Sequence, residues 1–471
     1  MLIKPSRTRI DMFWGYAAQG LNIGAGFLLL PLLAKHLTPD DVGLWFVFVT
    51  LASLAQLLEF GFQPTLARNV AYVYAGAATL SKTGLPSQIE SDSSLNLALF
   101  VDLIGAARRI YRYVAIAATA VLFGAGSWYV CTLLTPSQSV RSSLLAWCAF
   151  AAGYVLNFYF GYLNGLLQGR GDVSIANKVI VASRCIFLLL GWIGLSLDWG
   201  LPALGLASLL SAFFGRWLAW RGLHADSHPE MQKLSGMVPR SSLVGLLWHN
   251  ASRMGSVQLG AFLIQRASVL LASSFLGLAA AASYGMTMTI LMTLTTVGTV
   301  VIQISVPRLS ALQVQGNRRN ELAEKYGEVL LVSWGVYVAC ALGLYFIAPP
   351  LLLAINANTG LLPSGLLALA CCIFALELNH SIAATYLTTA NRVPFVAAAL
   401  ISGVCIVGLG ALLVRPWGVE GLLLAQGIVQ LLYNNWKWPL EALRHLDRSL
   451  GEVLRAGWVG FRREAQHQQV K

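Results

Sequence analysis

The sequence predicts an all-α polytopic membrane protein with twelve transmembrane helices in two six-helix lobes. Three observations carry that prediction. The chain of 471 residues is 57% hydrophobic and only 11% charged, with a mean hydropathy of +0.66, whereas soluble domains carry roughly 25% charged residues. Apolar stretches long enough to cross a bilayer recur along its whole length. The formal charge of +12 is distributed unevenly between the connections on the two sides.

The apolar stretches fall at 13–34, 43–66, 111–135, 142–167, 174–196 and 203–220, then at 250–276, 281–306, 329–350, 364–388, 394–414 and 419–440. The first follows Lys4, Arg7 and Arg9, as a signal peptide would, but it is too long for a signal core and is read as a retained span. Twelve spans return both termini to one side. With the N-terminus in the cytoplasm, nearly all connecting Lys and Arg lie inside, and only Lys35, Arg141 and Arg415 lie outside. The positive-inside rule therefore explains the excess charge, and no nucleic acid is expected as a partner. The expected division is an N-terminal lobe over 1–222, a cytoplasmic linker over 223–246, a C-terminal lobe over 247–440 and a basic amphipathic tail over 441–471. Segments 308–328 and 441–463 read as cation-rich helices along the inner leaflet or as docking faces for a partner. Residues 76–110 read as a cytoplasmic connection too small for an enzyme domain.

A faint repeat accompanies the span count. The short basic turns QGRGD (168–172) and TANRV (389–393) follow the fourth and tenth spans, and Trp199-Gly200 and Trp417-Gly418 precede the sixth and twelfth. Two parallel-related halves are a known transporter design. Seven cysteines lie inside apolar segments without metal-ligand spacing, so no metal site and no cofactor are expected.

Charged groups inside the spans are the candidates for function, because a charge at a helix centre costs about 2.5–3.5 kcal/mol on insertion scales. Arg266 stands midway along 248–276, beside Gln265 and two turns after Gln258, and Arg184 stands midway along the fifth span. Both suit an anion: one Arg–phosphate contact is worth about 4 kcal/mol at 4 Å and an effective dielectric of 20, before desolvation. Either is equally read as a structural partner of a carboxylate. Arg253, one turn inside the cytoplasmic end, guides entry or snorkels to the interface. Gln19 and Asn22 in the first span, Tyr154 and Asn157 in the fourth, and Gln258 and Gln265 in the seventh offer sugar-binding chemistry or plain packing. Glu377 and His380 share a helical face at i, i+3 and suit proton coupling, or Glu377 neutralises Arg266 or Arg184. Glu59 is a further coupling candidate or a cavity-mouth residue. No Ser-His-Asp order, P-loop or sugar-nucleotide signature accompanies them, which argues for a transporter rather than an enzyme.

Several stretches resemble the polysaccharide-exporting flippases often called Wzx. They are LAKHLTPDDVGLW (33–45), LLEFGFQPTLARNVA (57–71), FLGLAAAASYGMTMTI (275–290), VPRLSALQVQGNRRNELAEKYGEVLL (306–331) and YLTTANRVPFVAAALISGV (386–404). The resemblance covers nearly the whole chain and rests on loop and turn signatures. It implies the MATE-like fold of the multidrug/oligosaccharidyl-lipid/polysaccharide (MOP) exporters, two lobes around a central cavity. The implied substrate is an undecaprenyl-pyrophosphate-linked oligosaccharide carried across the bacterial inner membrane for surface polysaccharide, with a polymerase, chain-length-control proteins and membrane lipids as partners. Relatives often place an acidic residue in the seventh span where this chain has Gln265, Arg266 and Ser268. Two other functions remain open: a cation-coupled multidrug exporter, which favours cavity carboxylates, and a non-transporting scaffold of a polysaccharide synthase.

Overall fold

The computed structural model describes residues 5–59, 61–81, 95–135, 138–225, 237–239, 243–314, 318–390 and 395–469; at 5–9, 249–250, 252–254, 256–257 and 464–469 it describes the backbone alone. The described chain divides into two compact units, Met1–Leu259 and Gly260–Lys471. The expected linker over 223–246 lies largely outside the described residues.

The first unit is built from α1 (Pro5–His36), α2 (Pro39–Gln56), α3 (Phe62–Tyr74), α4 (Leu97–Thr119), α5 (Ser127–Leu133), α6 (Val140–Tyr159), α7 (Tyr162–Arg170), α8 (Val173–Ser196) and α9 (Leu201–Leu223). Helix α10 (Val244–Gln265) runs across the division. The second unit continues with α11 (Ala267–Leu276), α12 (Leu278–Val314), α13 (Arg319–Ala354), α14 (Ser364–Thr389), α15 (Val396–Val429), α16 (Asn435–Leu446) and α17 (Leu450–Gln469). Thr38 caps α2 by accepting from Asp41 N–H at 3.2 Å, with Pro39 in the first turn. That cap sets the tight reversal between the first two spans.

Eleven helices among the described residues are long and apolar enough to cross a membrane. The last, Val396–Leu446, has 51 residues, about 75 Å at 1.5 Å per residue against a hydrocarbon thickness of about 30 Å. It is two spans divided at Gly418, which adopts φ 54°, ψ −132°. Gly200, before α9, adopts φ 63°, ψ −147°, the same glycine-only conformation. Both Trp-Gly turns of the repeat therefore share one backbone geometry. The chain is a multi-pass membrane protein.

Three expectations are corrected. Residues 97–110, expected to belong to the connection before the third span, already form its helix, because α4 carries an apolar face buried at Phe100, Leu103, Ile104 and Ala107. The segment 308–328 is no separate surface helix; its described residues continue α12 and begin α13. The stretch 248–276 is not one helix, since Arg266 leaves the helical region at φ −122°, ψ −34° and separates α10 from α11.

Candidate functional site

Arg184 is residue 12 of the 24 in α8 and is exposed. Its Nε donates to Asn22 Oδ1 on α1 at 3.3 Å, so the structure joins one anion candidate to one sugar candidate. Helices α1 and α8 pack side by side, and lower on the same seam Lys178 Nζ sits 5.3 Å from the centre of the Trp14 ring. Gln19 is exposed on α1, close to Asn22 in sequence. Tyr154 is half-buried in an aromatic row, 4.8 Å from Phe150 and 6.5 Å from Phe158 between ring centres, and Asn157 is half-buried one turn onward. The row gives Tyr154 a packing role alongside any sugar contact.

In α10 Gln258 and Gln265 are exposed, and Arg266 is half-buried at the break. Its N–H still donates to Phe262 O at 2.8 Å, and its own carbonyl accepts from Val269 N–H at 3.1 Å. The helix therefore bends at its most polar step without losing those two bonds. The Arg253 side chain and Arg392 of the second basic turn lie outside the described residues.

The two coupling candidates have different surroundings. Glu59 sits half-buried in the single 3₁₀ turn Leu57–Glu59 after α2. Tyr111 OH donates to its Oε1 at 2.9 Å and Gln56 Nε2 to its Oε2 at 2.5 Å. The Arg216 guanidinium lies close enough to act electrostatically on Glu59, and it also donates from Nη1 to Phe160 O at 3.4 Å. Glu377, only 5% exposed, accepts from Gln430 Nε2 and lies 3.9 Å from His380 Nε2. An amide and an imidazole thus meet this carboxylate.

Around Glu377 the polar groups extend further. Asn379 Nδ2 donates to Asn435 Oδ1 at 3.0 Å, Asn435 Nδ2 to Leu376 O at 3.0 Å, and Asn434 Nδ2 to Ser402 Oγ at 3.2 Å. A π-helical turn over Gln430–Asn434 widens the helix here, a distortion common at functional sites. Gln430 Oε1, Gln426 Nε2 and His380 Nδ1 are buried without a hydrogen-bond partner, the pattern expected where water completes the network.

With this geometry in place, solved structures supply a comparison. An inward-facing multidrug resistance MATE family transporter of the MOP superfamily superposes with a TM-score of 0.70 at 14% identity, covering 90% of this chain and 95% of that one. The chain has a MATE-like fold. A lipid II flippase MurJ in an inward closed conformation matches with a TM-score of 0.57 at 12% identity, over 96% and 91% of the two chains. The MATE multidrug transporter DinF-BH matches at 0.56 and 14%, over 95% and 96%. No family model matches the chain, and no curated protein matches it in sequence. Among the described residues no group of three or more His, Cys, Asp or Glu is placed to hold a metal ion.

Within this MATE-like frame, sequence reasoning missed Arg216, Lys178 and the amides of the twelfth span. Arg216 stands near the basic end of the sixth span in sequence, yet its Nε is buried. A signal for the amides was present: Gln426, Gln430 and Asn434 recur every four residues in an otherwise apolar stretch, which places them on one helical stripe.

Proposed function

We propose that the protein is a flippase moving an undecaprenyl-pyrophosphate-linked oligosaccharide from the inner to the outer leaflet of the bacterial inner membrane by alternating access of two lobes, with both termini cytoplasmic. The observation that carries this reading is Arg184: an exposed guanidinium at mid-span, hydrogen-bonded to the Asn22 amide. A charge at that depth requires water or an anion beside it, and the neighbouring amide suits the sugars attached to a pyrophosphate. Arg184 and Arg266 are assigned to the phosphates, and Gln19, Asn22, Tyr154, Asn157, Gln258 and Gln265 to the glycan. The prenyl tail stays in lipid, so the protein moves only the polar head.

Energy enters through Glu377 and His380. A buried carboxylate met by an amide and an imidazole one turn away suits a pair that hands on a proton when the helices around it move. Proton uptake from outside then favours one orientation and release inside the other. Glu59 anchors the first unit instead.

A second reading, a cation-coupled drug exporter, is favoured by the superposition on MATE multidrug transporters. Arg184→Gln and Arg266→Gln separate the two. In a strain whose own flippase is deleted, each variant is expected to reach the membrane normally and to lower surface polysaccharide at least tenfold, while resistance to cationic drugs stays unchanged. Full polysaccharide export in both variants sinks the flippase reading, and altered drug resistance alone favours the exporter.

A further inference from the structure

The tail helix α17 is held against α13 by a glycine seam. A Cβ at Gly457 would overlap the backbone of Gly327 and Glu328, and one at Gly327 would overlap Val453 O, so the two helices touch backbone to backbone. Arg448 Nη2 donates to Asn320 Oδ1 at 2.6 Å, and Arg463 Nη1 lies 3.8 Å from Glu324 Oε2. The amphipathic tail is therefore a fixed element of the second unit.

The crossing point sets its depth. Helix α13 has 36 residues, about 54 Å, of which about 20 residues suffice for the hydrocarbon. Its charged end, Arg319 to Glu328, projects beyond the apolar run that starts at Val329. Gly327 lies two residues before that run, about 3 Å along the axis. At headgroup depth, then, α17 crosses α13.

On the side of α17 away from the seam, Trp458 is 51% and Phe461 46% exposed, and Leu454 is half-buried. Trp458 and Phe461 stack with ring centres 6.3 Å apart, and the Arg462 guanidinium covers the Trp458 ring at 5.2 Å. Arg455, exposed, falls seven residues before Arg462 on the same strip. Three such side chains offer on the order of 300 Å² of apolar surface, well below the roughly 800 Å² per partner of a stable protein interface. Aromatic rings beside arginines at this depth match the chemistry of a leaflet surface, where the rings enter the acyl boundary and the cations meet phosphate.

We propose that the Leu454–Trp458–Phe461 strip, flanked by Arg455 and Arg462, binds the headgroups of anionic phospholipids in the inner leaflet and fixes the α13–α17 pair at the membrane surface. Each arginine near an anionic surface favours binding roughly fivefold. The full chain is reconstituted into nanodiscs of phosphatidylcholine alone or with phosphatidylglycerol, and hydrogen exchange is followed over 450–463. Exchange is expected to slow at least fivefold in the anionic discs. That difference should vanish in an Arg455→Gln, Arg462→Gln double variant whose 320–330 segment keeps its protection, showing the seam intact. Equal exchange in both lipids overturns the proposal, as does protection reproduced by inorganic phosphate in neutral discs, which would assign the arginines to a soluble anion.

Discussion

The two units bury charge in opposite ways. In the first, Arg170 Nε meets Asp172 Oδ2 at 2.5 Å with the side chains 2% and 3% exposed, while its other nitrogens donate to Leu223 O at 3.0 Å and Gly222 O at 3.1 Å. One guanidinium thus neutralises a carboxylate and closes the C-terminal end of α9. Glu59 likewise has Arg216 nearby and accepts from two side chains. In the second unit Arg318–Glu321 sits outward and Lys325–Glu328 is a largely covered pair one turn apart on a single helix, while the buried Glu377 is met by Gln430 and His380. Opposite charges that satisfy each other are fixed in place, whereas a carboxylate met by an amide and an imidazole lacks that lock. The first arrangement suits a scaffold and the second a moving proton.

The most severe way to break this comparison is Arg170→Ala. It takes the guanidinium away from Asp172 and from two helix-end carbonyls, and removing one member of a buried pair costs about 3–5 kcal/mol. Purified in detergent, the variant is expected to lose most of its thermal stability; a melting temperature like that of the parent protein would show that the pair is dispensable.

Next in size is Gln430→Leu, which removes the amide donor from Glu377. A hydrogen bond to a charged group contributes about 1.5–3 kcal/mol, so stability should fall by that much. Glu377→Gln added to it should recover most of the loss, because no carboxylate is then left without its donor. Alone, Glu377→Gln is expected to leave the melting temperature within a few degrees and to abolish the response of transport to an imposed pH gradient in vesicles. An unaltered response would make Glu377 structural, like its counterpart in the first unit.

Glu59→Gln supplies the reverse test at a smaller scale. The amide keeps an acceptor for Tyr111 but gives up the attraction to Arg216, and Glu59 is half-exposed, so about 1 kcal/mol is at stake. Transport should keep its response to the pH gradient. Loss of that response with the fold intact would move the coupling role into the first unit.

The sequence made one half of this contrast easier to read than the other. Span positions followed from apolar length alone, and Arg184 stood out because it lies midway along its span, with Lys178 six residues nearer the end. Glu377 and His380 share a helical face at a spacing visible in sequence. The balancing of Glu59 was hidden, since Arg216 is 157 residues away and close to a basic cluster that counting assigns to the cytoplasm. Arg170 was hidden for the same reason: a basic turn after a span looks like positive-inside charge, and only folding brings it to the end of α9. The break at Arg266 has no proline or glycine beside it, so local propensity gave no warning of the change in backbone angle.

A third carboxylate, Glu452, is exposed and caps a helix instead. Ser449 N–H donates to its Oε2 at 2.8 Å and Ser449 Oγ at 3.0 Å, while Glu452 N–H returns a bond to Ser449 Oγ at 3.4 Å. This reciprocal box closes the first turn of α17. The backbone donor first, then the hydroxyl, with Arg448 and Arg455 adding positive potential, holds the carboxyl below its ordinary value of 4.5. A depressed value in the folded chain means stabilisation that is complete above the ordinary value and is lost as pH falls through the lower one. The start of α17 should therefore fray only below about pH 4.5, seen as faster hydrogen exchange at 450–454 after correction for the intrinsic rate. In Glu452→Gln the same segment should show no such step. A step persisting in that variant would trace the acid sensitivity to Glu324 or Glu328 on α13, across the glycine seam, and would make the seam rather than the cap the weaker point of the second unit.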